Sequence, residues 1–466
     1  MSPDPALPLA GTQVLVHGLG RFGGGKESIR HLRRLGCEVR VADRSADASL
    51  RAVVDEIGDH GVDWQLGRED PDLLDGVDLV VTSPAIPDHS LLRQEALRRG
   101  LPTTQECELF LAAYPGRVVG VTGTNGKSST ASLLHRALCH AGIDALLGGN
   151  IGHSLLADAA DWRSNQVAVL ELSSFQLERF AADRALHAAV FTRVGSDHLD
   201  RHGSLARYRA AKGRLAAAAR DFVIHAADDP IAGSFPTEAA RRGRYGLAAP
   251  SPNSAGVSAG YLTIRADAAP ARPLVHRDAL QLLGSFQIEN VLASSLAASW
   301  LGASLDQVGF AMATAAPLPF RLQLLRTVGG VHVYDNGVST EVESTRQALQ
   351  TLRERVGRVH WLGGGQSKDG DYGKVARAVA ALATSAHVFG AASEPFRAAA
   401  ADSVPVTCHE TMAAALTAAM QRAATGDAVL FSPAFASFDQ YANFRARAVE
   451  FHSLVREQGA NSDLRG

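Results

Sequence analysis

The chain has 466 residues, 46% of them hydrophobic, and a formal net charge of −2, which is enough for about three domains that each bury a core. Lysines and arginines are scattered rather than clustered, and this argues against a nucleic-acid surface. The four cysteines lack a C-x-x-C pair, and no window approaches the roughly 18 apolar residues that span a bilayer. We therefore expect a cytoplasmic protein without disulfides or membrane insertion.

The first motif is a glycine turn. An apolar run ends in G-L-G-R-F-G, which places Gly18, Gly20 and Gly23 in G-x-G-x-x-G spacing between a predicted strand and a predicted helix. A second predicted strand delivers Asp43, about 20 residues beyond the turn. By itself this fingerprint favours an NAD-dependent oxidoreductase, but the same turn suits any Rossmann-like unit that binds a diphosphate, and it can also be purely structural.

A third predicted strand runs into Ser83-Pro84, at the strand end where open α/β sheets bind ligands. Breaks in the pattern near Pro115 and Pro317 divide the chain. The predicted fold class is α/β with three domains: a Rossmann-like domain at residues 1–115, a central P-loop domain at 116–316 and a second Rossmann-like domain at 317–466.

The segment Val118–Thr130, V-V-G-V-T-G-T-N-G-K-S-S-T, joins an apolar strand to a helix through a turn that ends Gly126-Lys127-Ser128. Such a turn binds phosphate, because backbone N–H groups and the helix N-terminus face the anion, while the lysine reaches the outer phosphates and a hydroxyl can hold Mg²⁺. The strict Walker pattern requires glycine where Val121 stands. The sequence departs from it at that position but keeps the strand–turn–helix context.

Further along, a predicted strand ends in Glu171, a carboxylate suited to a nucleotide-bound Mg²⁺. Four residues that could hold zinc then crowd together: Asp197, His198, Asp200 and His202. We disfavour zinc because no cysteine or wider histidine set supports tetrahedral coordination. Lys212 stands among alanines on a predicted helix, where an isolated lysine is usually solvated.

In the last third, three predicted strands run into small polar loops. These loops are D-N-G-V-S-T after Tyr334, G-G-G-Q-S-K-D-G-D-Y after Leu362 and S-P-A-F-A-S-F-D-Q-Y after Phe431. Loops at the carboxyl ends of parallel strands form a crevice, which is the usual ligand position in α/β folds.

The motifs also resemble a known family. G-T-N-G-K-S-S at 123–129, L-E-L-S-S-F-Q-L-E at 170–178, D-H-L-D-R at 197–201, Y-R-A-A-K at 208–212 and S-P-A-F-A-S-F-D-Q-Y at 432–441 are similar to those of the Mur ligases, over nearly the whole chain. The resemblance implies a UDP-binding domain, a central ATPase domain and a C-terminal domain that binds the amino acid. It also implies that ATP phosphorylates the carboxylate of UDP-MurNAc-L-alanine and that the amine of D-glutamate then attacks the acyl phosphate.

The resemblance further implies a monomer that uses ATP, two Mg²⁺ sites and a carbamylated Lys212, which reverses the solvated-lysine interpretation. Catalysis is implied for Lys127, Glu171, His198 and Lys212, and metal ligation for Ser128, Glu171, His198 and Lys212. Contacts with ATP are implied for Gly123, Thr124, Asn125, Gly126, Lys127, Ser128, Ser129, Asn290, Arg321 and Asn336. Contacts with the nucleotide sugar are implied for Gly20, Arg21, Phe22, Asp43, Arg44, Ser83, Pro84, Asn150 and Ser173. Contacts with D-glutamate are implied for Lys368, Ser437 and Phe444.

Some positions depart from the family pattern. The usual G-x-H-N is Gly284-Ser285-Phe286-Gln287, the customary histidine before Arg321 is Phe320, and the lysine of N-D-S-K-A-T is Val338. Three alternatives therefore stay open. They are a Mur-type ligase with another acceptor amino acid, a ligase-derived nucleotide-binding protein without turnover, and the NAD-dependent oxidoreductase.

Overall fold

The structure is a computed structural model that describes residues 9–20, 23–58, 61–151, 153–181, 185–267, 269–367 and 370–463. The chain forms two compact units. The first comprises Met1–Ala279 with Glu289–Ala313, and the second comprises Leu280–Ile288 with Thr314–Gly466. The predicted α/β class is confirmed, while the division into three domains at residues 115 and 316 stays a prediction.

The first sheet of the first unit is parallel, in the order β3-β2-β1-β4-β5. Its strands are β1 (Gln13–His17), β2 (Glu38–Asp43), β3 (Val62–Leu66), β4 (Leu79–Thr82) and β5 (Thr103–Thr104), and the helices beside it are α1 (Gly24–Arg34), α2 (Ala48–Ile57), α3 (Leu91–Arg98) and α4 (Glu106–Ala113). The strand order reverses between β1 and β4. The glycine turn after β1 and the Ser83-Pro84 loop after β4 therefore flank the switch point where doubly wound sheets bind ligands.

The second sheet of this unit has the order β14-β13-β12-β11-β10-β9-β6-β8-β7. Its strands are β6 (Arg117–Thr122), β7 (Ala145–Gly149), β8 (Val167–Glu171), β9 (Leu186–Phe191), β10 (Ala219–Ala226), β11 (Arg241–Tyr245), β12 (Ser254–Ser258), β13 (Tyr261–Arg265) and β14 (Arg272–His276). The helices of this part are α5 (Lys127–His140), α6 (Ser174–Glu178), α7 (Leu199–His202), α8 (Leu205–Ala218), α9 (Pro230–Gly233), α10 (Ser285–Trp300) and α11 (Leu305–Ala313), and the first four residues of α10 belong to the second unit.

Strand β6 lies between β8 and β9 and runs parallel to both. Its small residues let a helix approach closely, because a Cβ on Gly120 would lie 2.6 Å from Cδ1 of Leu215 on α8. The phosphate turn, the strand-end Glu171 and helix α8 are brought together by this packing.

The sheet of the second unit has the order β15-β16-β20-β17-β18-β19, parallel except for the β15–β16 pair. Its strands are β15 (Gln323–Val328), β16 (Val331–Asp335), β17 (Val359–Gly364), β18 (Ser385–Phe389), β19 (Val406–His409) and β20 (Ala428–Phe431), and its further helices are α12 (Val342–Val356), α13 (Tyr372–Leu382), α14 (Ser393–Ala400), α15 (Met412–Arg422) and α16 (Phe444–Asp463). Because β16, β20 and β17 are neighbours, the three polar loops predicted to share one edge do so. None of the helices in the described ranges is long and apolar enough to cross a membrane.

A chain of side-chain hydrogen bonds crosses β17, β18 and β19. It links Asp427, His360, Ser385, His387, Thr407 and His409 in that order, with distances of 2.8–3.2 Å. Burial, followed by the proximity of His360 and His409, lowers the pKa of His387 to about 4. The folded unit therefore holds this histidine in its neutral form.

This low pKa predicts acid sensitivity of the second unit. Unfolded His387 takes up a proton near pH 6.5 and the folded form only near pH 4, so its contribution to stability is lost as the pH falls through that window. The loss amounts to about 3 kcal/mol. In His387→Gln, amide hydrogen exchange of β17–β19 should depend less on pH over this range, whereas the half-exposed His276→Gln control should behave as wild type. An unchanged pH dependence in His387→Gln would contradict this assignment.

Candidate functional site

Two glycines shape the turn after β6. Gly123 has φ 152°, and a Cβ there would lie 1.7 Å from Oγ1 of Thr192. Gly126 precedes α5 with φ 86°, and a Cβ there would lie 2.5 Å from Oδ1 of Asn290. Glycine is required at both positions, and the N-terminus of α5 faces the turn, which is the arrangement that binds phosphate. Within the turn, Asn125 is exposed. In the first turn of α5, Ser128 is half-buried and Ser129 is buried.

Two lysines converge on one backbone oxygen of this turn. Nζ of Lys127 donates to the carbonyl oxygens of Gly123 and Thr124, at 3.1 and 2.8 Å. Nζ of Lys212 donates to the same Gly123 oxygen at 2.7 Å. Lys212 is 1% exposed and its Nζ lies 4.8 Å from the centre of the Tyr208 ring. The expectation of a solvated lysine is therefore wrong, because α8 turns this face toward the sheet.

Burial holds the pKa of Lys212 well below its usual range, and the charge of Lys127 lowers it further. The carboxylates of Asp197 and Glu171 act in the opposite direction. An amine in this setting is favoured in its neutral, nucleophilic form.

Glu171 lies at the end of β8 and is 2% exposed. Its Oε1 accepts a hydrogen bond from Nδ2 of Asn150 at 2.9 Å, while Oε2 is buried without a hydrogen-bond partner in the described part of the chain. A Cβ on Gly149 would lie 2.4 Å from the carbonyl oxygen of Glu171, so the G-G-N-I-G turn brings Asn150 close to this carboxylate. An unpaired buried carboxylate oxygen is a suitable ligand for a hard cation such as Mg²⁺.

The histidines after β9 take separate partners. His198 has φ 51°, its Nε2 lies 3.2 Å from Oδ2 of Asp197, and its ring centre lies 4.9 Å from that of Phe175. His202 is fully buried and its Nε2 is 3.0 Å from Oγ of Ser174. Within the described ranges, no group of three or more histidine, cysteine or acidic side chains is placed to hold a metal.

Other contacts hold this region together. Oγ1 of Thr124 bonds the hydroxyl of Tyr208 and accepts from the backbone of Gly195, both at 2.8 Å. Ser173 caps α6 in a capping box with Gln176, which the S-x-x-Q spacing in the sequence indicates. The phosphate turn is thereby tied to α8 and to the loop after β9.

The start of α10 is fixed by residues that the sequence did not single out. Nε of Arg193 donates to Oε2 of Glu289 at 2.8 Å, and its Nη2 lies 3.0 Å from Oδ1 of Asp228. Next to Glu289, Oδ1 of Asn290 accepts a hydrogen bond from Oγ1 of Thr130 on α5 at 3.2 Å. This ion pair has no local sequence signal, since its members are 96 residues apart.

At the first sheet, Asp43 shapes the glycine turn. Its carboxylate accepts hydrogen bonds from the backbone N–H groups of Leu19 and Ser45, both at 2.9 Å. A Cβ on Gly20 would lie 3.6 Å from Oγ of Ser83, so the loops after β1 and β4 meet. Arg44 is exposed beside Asp43.

Beside this turn lies a cavity of about 590 Å³, lined by Leu19, Gly20, Gly23, Lys26, Asp47, Ala48, Leu50 and Val53. Its wall is mainly apolar, with one cationic and one acidic side chain. This composition is typical of a small-molecule site. The predicted site residues Arg21 and Phe22 fall outside the described part of the chain.

In the second unit, Asn336 serves as a support. Its Oδ1 accepts from the backbone of Leu322 at 3.2 Å and its Nδ2 donates to Oγ of Ser432 at 3.1 Å. These bonds anchor the segment that carries Arg321, whose neighbours Phe320 and Leu322 have φ of 67° and 50°. Asn336 is thus placed to position Arg321.

Arg447 on α16 is fully buried. Its guanidinium donates to the carbonyl oxygens of Gly364 at 2.9 Å and Phe435 at 3.0 Å, and Gln366 pairs with Ala436 through two backbone hydrogen bonds. Desolvation lowers the pKa of Arg447 to about 10. The arginine joins two of the three polar loops, and its burial is not indicated by any sequence motif.

Three residues of the second unit were predicted to bind the amino acid. Ser437 is buried at 2% exposure, and Phe444 is half-buried at the start of α16. Lys368 lies outside the described residues. Asp335, close in sequence to Asn336, is fully buried with Oδ2 2.6 Å from Nε2 of His452.

The fit of Gly126 generates a prediction with a matched control. Gly126→Ala and Gly142→Ala, at opposite ends of α5, both force alanine into a left-handed conformation, with φ of 86° and 73°, which costs about 1–2 kcal/mol. A Cβ at Gly142 meets nothing within 4 Å, whereas at Gly126 it meets Asn290. Both variants should lose stability in thermal unfolding, Gly126→Ala more than Gly142→Ala because its Cβ meets Asn290, but only Gly126→Ala should lose ATP binding in calorimetry. Equal ATP affinity in the two variants would contradict the role of this turn.

Two family descriptions match the chain. The Mur ligase middle domain matches residues 121–298, and the Mur ligase, glutamate ligase domain matches residues 320–435. Among curated relatives, the UDP-N-acetylmuramoylalanine–D-glutamate ligase of Acidobacterium capsulatum is 33% identical, covering 96% of this chain and 97% of the relative. The enzyme of the same name from Koribacter versatilis is 32% identical, with 97% and 98% covered.

Solved structures show the same fold. UDP-N-acetylmuramate–alanine ligase from Thermotoga maritima superposes with a TM-score of 0.62 at 18% identity, covering 96% of this chain and 99% of that one. A pseudomurein peptide ligase type C from Methanothermus fervidus gives a TM-score of 0.60 at 18% identity, with the same shares covered. On the sequence matches and this architecture, the chain belongs to the Mur ligase family.

Proposed function

We propose that this protein is an ATP-dependent ligase of peptidoglycan synthesis that adds glutamate to UDP-N-acetylmuramoyl-L-alanine through an acyl phosphate. The D configuration of the glutamate follows the name that the relatives carry. The observation that carries the proposal is the phosphate turn with the unpaired Oε2 of Glu171 at the neighbouring strand end. The NAD-dependent alternative leaves both features unused.

The turn fits a nucleotide triphosphate with Mg²⁺. Ser128 and Glu171 would hold one Mg²⁺, and His198 would take part in binding a second. When bound, the cation neutralises phosphate charge during transfer. Lys127 and the N-terminus of α5 bind and orient the outer phosphates, and the tight contact of Gly126 with Asn290 fixes the turn against α10.

The substrate carboxylate attacks the γ-phosphorus and ADP departs, since a free carboxylate is a poor acylating agent. The amine of glutamate then attacks the acyl carbon, phosphate leaves, and the amine loses its proton to form the amide. The protein contributes position and charge: the first-sheet loops hold the nucleotide sugar, and the Ser437 loop binds the amino acid. Asn150 and Ser173 contact the muramoyl substrate in this proposal.

The carbamylation of Lys212 that the family resemblance implies is supported by the burial of its amine. A neutral buried amine adds CO₂, forming a carbamate and releasing a proton. The carbamate is an anion, so the modification places a negative charge near Lys127 and would supply an oxygen ligand for Mg²⁺.

This proposal predicts a dependence on bicarbonate. Wild-type turnover should fall in CO₂-depleted buffer and recover on adding bicarbonate, because the carbamate forms reversibly. Lys212→Ala should lose turnover and recover part of it with a small added carboxylate, and it should show no mass increase from carbamylation. Intact-mass measurement and phosphate release check both points, and near wild-type turnover of Lys212→Ala would mean that no carbamate is needed.

The acceptor is tested by phosphate release with UDP-N-acetylmuramoyl-L-alanine and a panel of amino acids that includes both glutamate enantiomers. We expect D-glutamate to stimulate release most strongly. Faster turnover with L-glutamate or another amino acid would retain the ligase and overturn the D-glutamate assignment. No turnover with any acceptor, while the UDP-sugar still binds, would favour the non-catalytic alternative. The monomeric state and the cytoplasmic location stay predictions from the sequence.

A further inference from the structure

In the loop after β4, the four consecutive carbonyl oxygens of residues 83–86 each accept a hydrogen bond from at least one of two arginines. Arg179, just after α6, donates to the oxygen of Ser83 at 3.2 Å and to that of Ile86. Arg201, on α7, donates to those of residues 84, 85 and 86 at 3.0, 3.3 and 2.9 Å. We name these contacts the arginine clasp.

Arg179 is mostly buried, whereas Arg201 is half-buried. The side chain of Arg179 is 11% exposed and pairs with Asp88 at 3.2 Å, and desolvation lowers its pKa to about 10. The guanidinium of Arg201 lies 5.3 Å from the centre of the Phe175 ring. Burying the Arg179 guanidinium carries a desolvation cost, which its carbonyl contacts and its pairing with Asp88 offset.

On one side, the clasped loop packs against the glycine turn. The backbone N–H of Ser83 donates to the carbonyl oxygen of His17 at 2.9 Å, and a Cβ on Gly18 would lie 3.0 Å from Ile86. The glycine turn and the clasped loop therefore have little room to move independently.

On the other side, the arginines belong to the segments that carry the ligase centre. Arg201 stands three residues after His198, and the Phe175 ring contacts both His198 and Arg201. Through Arg201 and the Phe175 ring, the loop at the nucleotide-sugar site is connected to His198, which the proposed function places at a metal.

We infer that Arg179 and Arg201 are positioning residues that fix the distance between the nucleotide-sugar loop and the ligase centre. The inference rests on the proposed function, in which a substrate held by the first-sheet loops must present its carboxylate to a phosphate at the second sheet. A misplacement of about 1 Å at a reacting centre can lower a rate by about 100-fold. The clasp limits such misplacement because it binds backbone rather than side chains of the loop.

The test compares Arg179→Ala and Arg201→Ala with Arg207→Ala. Arg207 is a neighbouring arginine whose side chain is 63% exposed, and its ion pairs with Asp88 and Glu178 are long, at 3.7 Å. In the clasp variants, kcat/KM for UDP-N-acetylmuramoyl-L-alanine should fall about 10- to 100-fold while KM for ATP changes less than twofold. Arg207→Ala should behave as wild type. Arg201→Lys should recover part of the loss, since an ammonium reaches one or two of the three carbonyls.

Thermal unfolding of each variant separates positioning from folding. Equal changes in KM for ATP and for the UDP-sugar, or clasp variants with wild-type kinetics, would overturn the inference while leaving the ligase assignment intact. A wild-type protein without turnover would overturn the proposed function and this inference with it.

Discussion

The carbonyl oxygen of Gly123 accepts hydrogen bonds from two lysine side chains, and the packing around it depends on the absence of a side chain at that residue. Strand β6 lies between β8 and β9, so its end receives Glu171 from one neighbour and Thr192 from the loop after the other. Gly120 lets α8 approach closely enough to carry Lys212 to the same oxygen. The burial of Lys212 and Glu171 and the shape of the phosphate turn thus depend on the close packing around one strand, β6.

Much of the fold and part of the site were predictable because their signals are local. The G-x-G-x-x-G turn, the G-T-N-G-K-S turn and the strand-end Glu171 each combine an apolar run with residues next to it in sequence. The composition around Lys212 indicated a solvated side chain, whereas the side chain is buried, because an alanine-rich helix has no marked apolar face to show which side is buried. Only the family resemblance pointed to that lysine.

The arginines that hold the site loops in place could not be found from local sequence signals. Arg179 and Arg447 bind backbone carbonyl oxygens that lie 96 and 83 residues away, and any residue type can supply a carbonyl. A histidine of the second unit was also missed. Phe320 stands where the family pattern has a histidine, and its ring centre lies 5.3 Å from that of His452. His452 brings an imidazole from α16 to the buried Asp335, a contact that depends on tertiary packing.

Arg447 has a consequence for how this scaffold diversifies. Because its guanidinium holds two loops through the carbonyl oxygens of Gly364 and Phe435, the frame of those loops does not depend on the side chains that they present. Under the proposed function, a substitution at a position such as Ser437 can then alter the chemistry offered to an amino acid while the main chain stays in place. If these loops bind the acceptor as proposed, acceptor preference and structural integrity can evolve separately, and a lineage can acquire a new amino acid substrate without rebuilding this part of the protein.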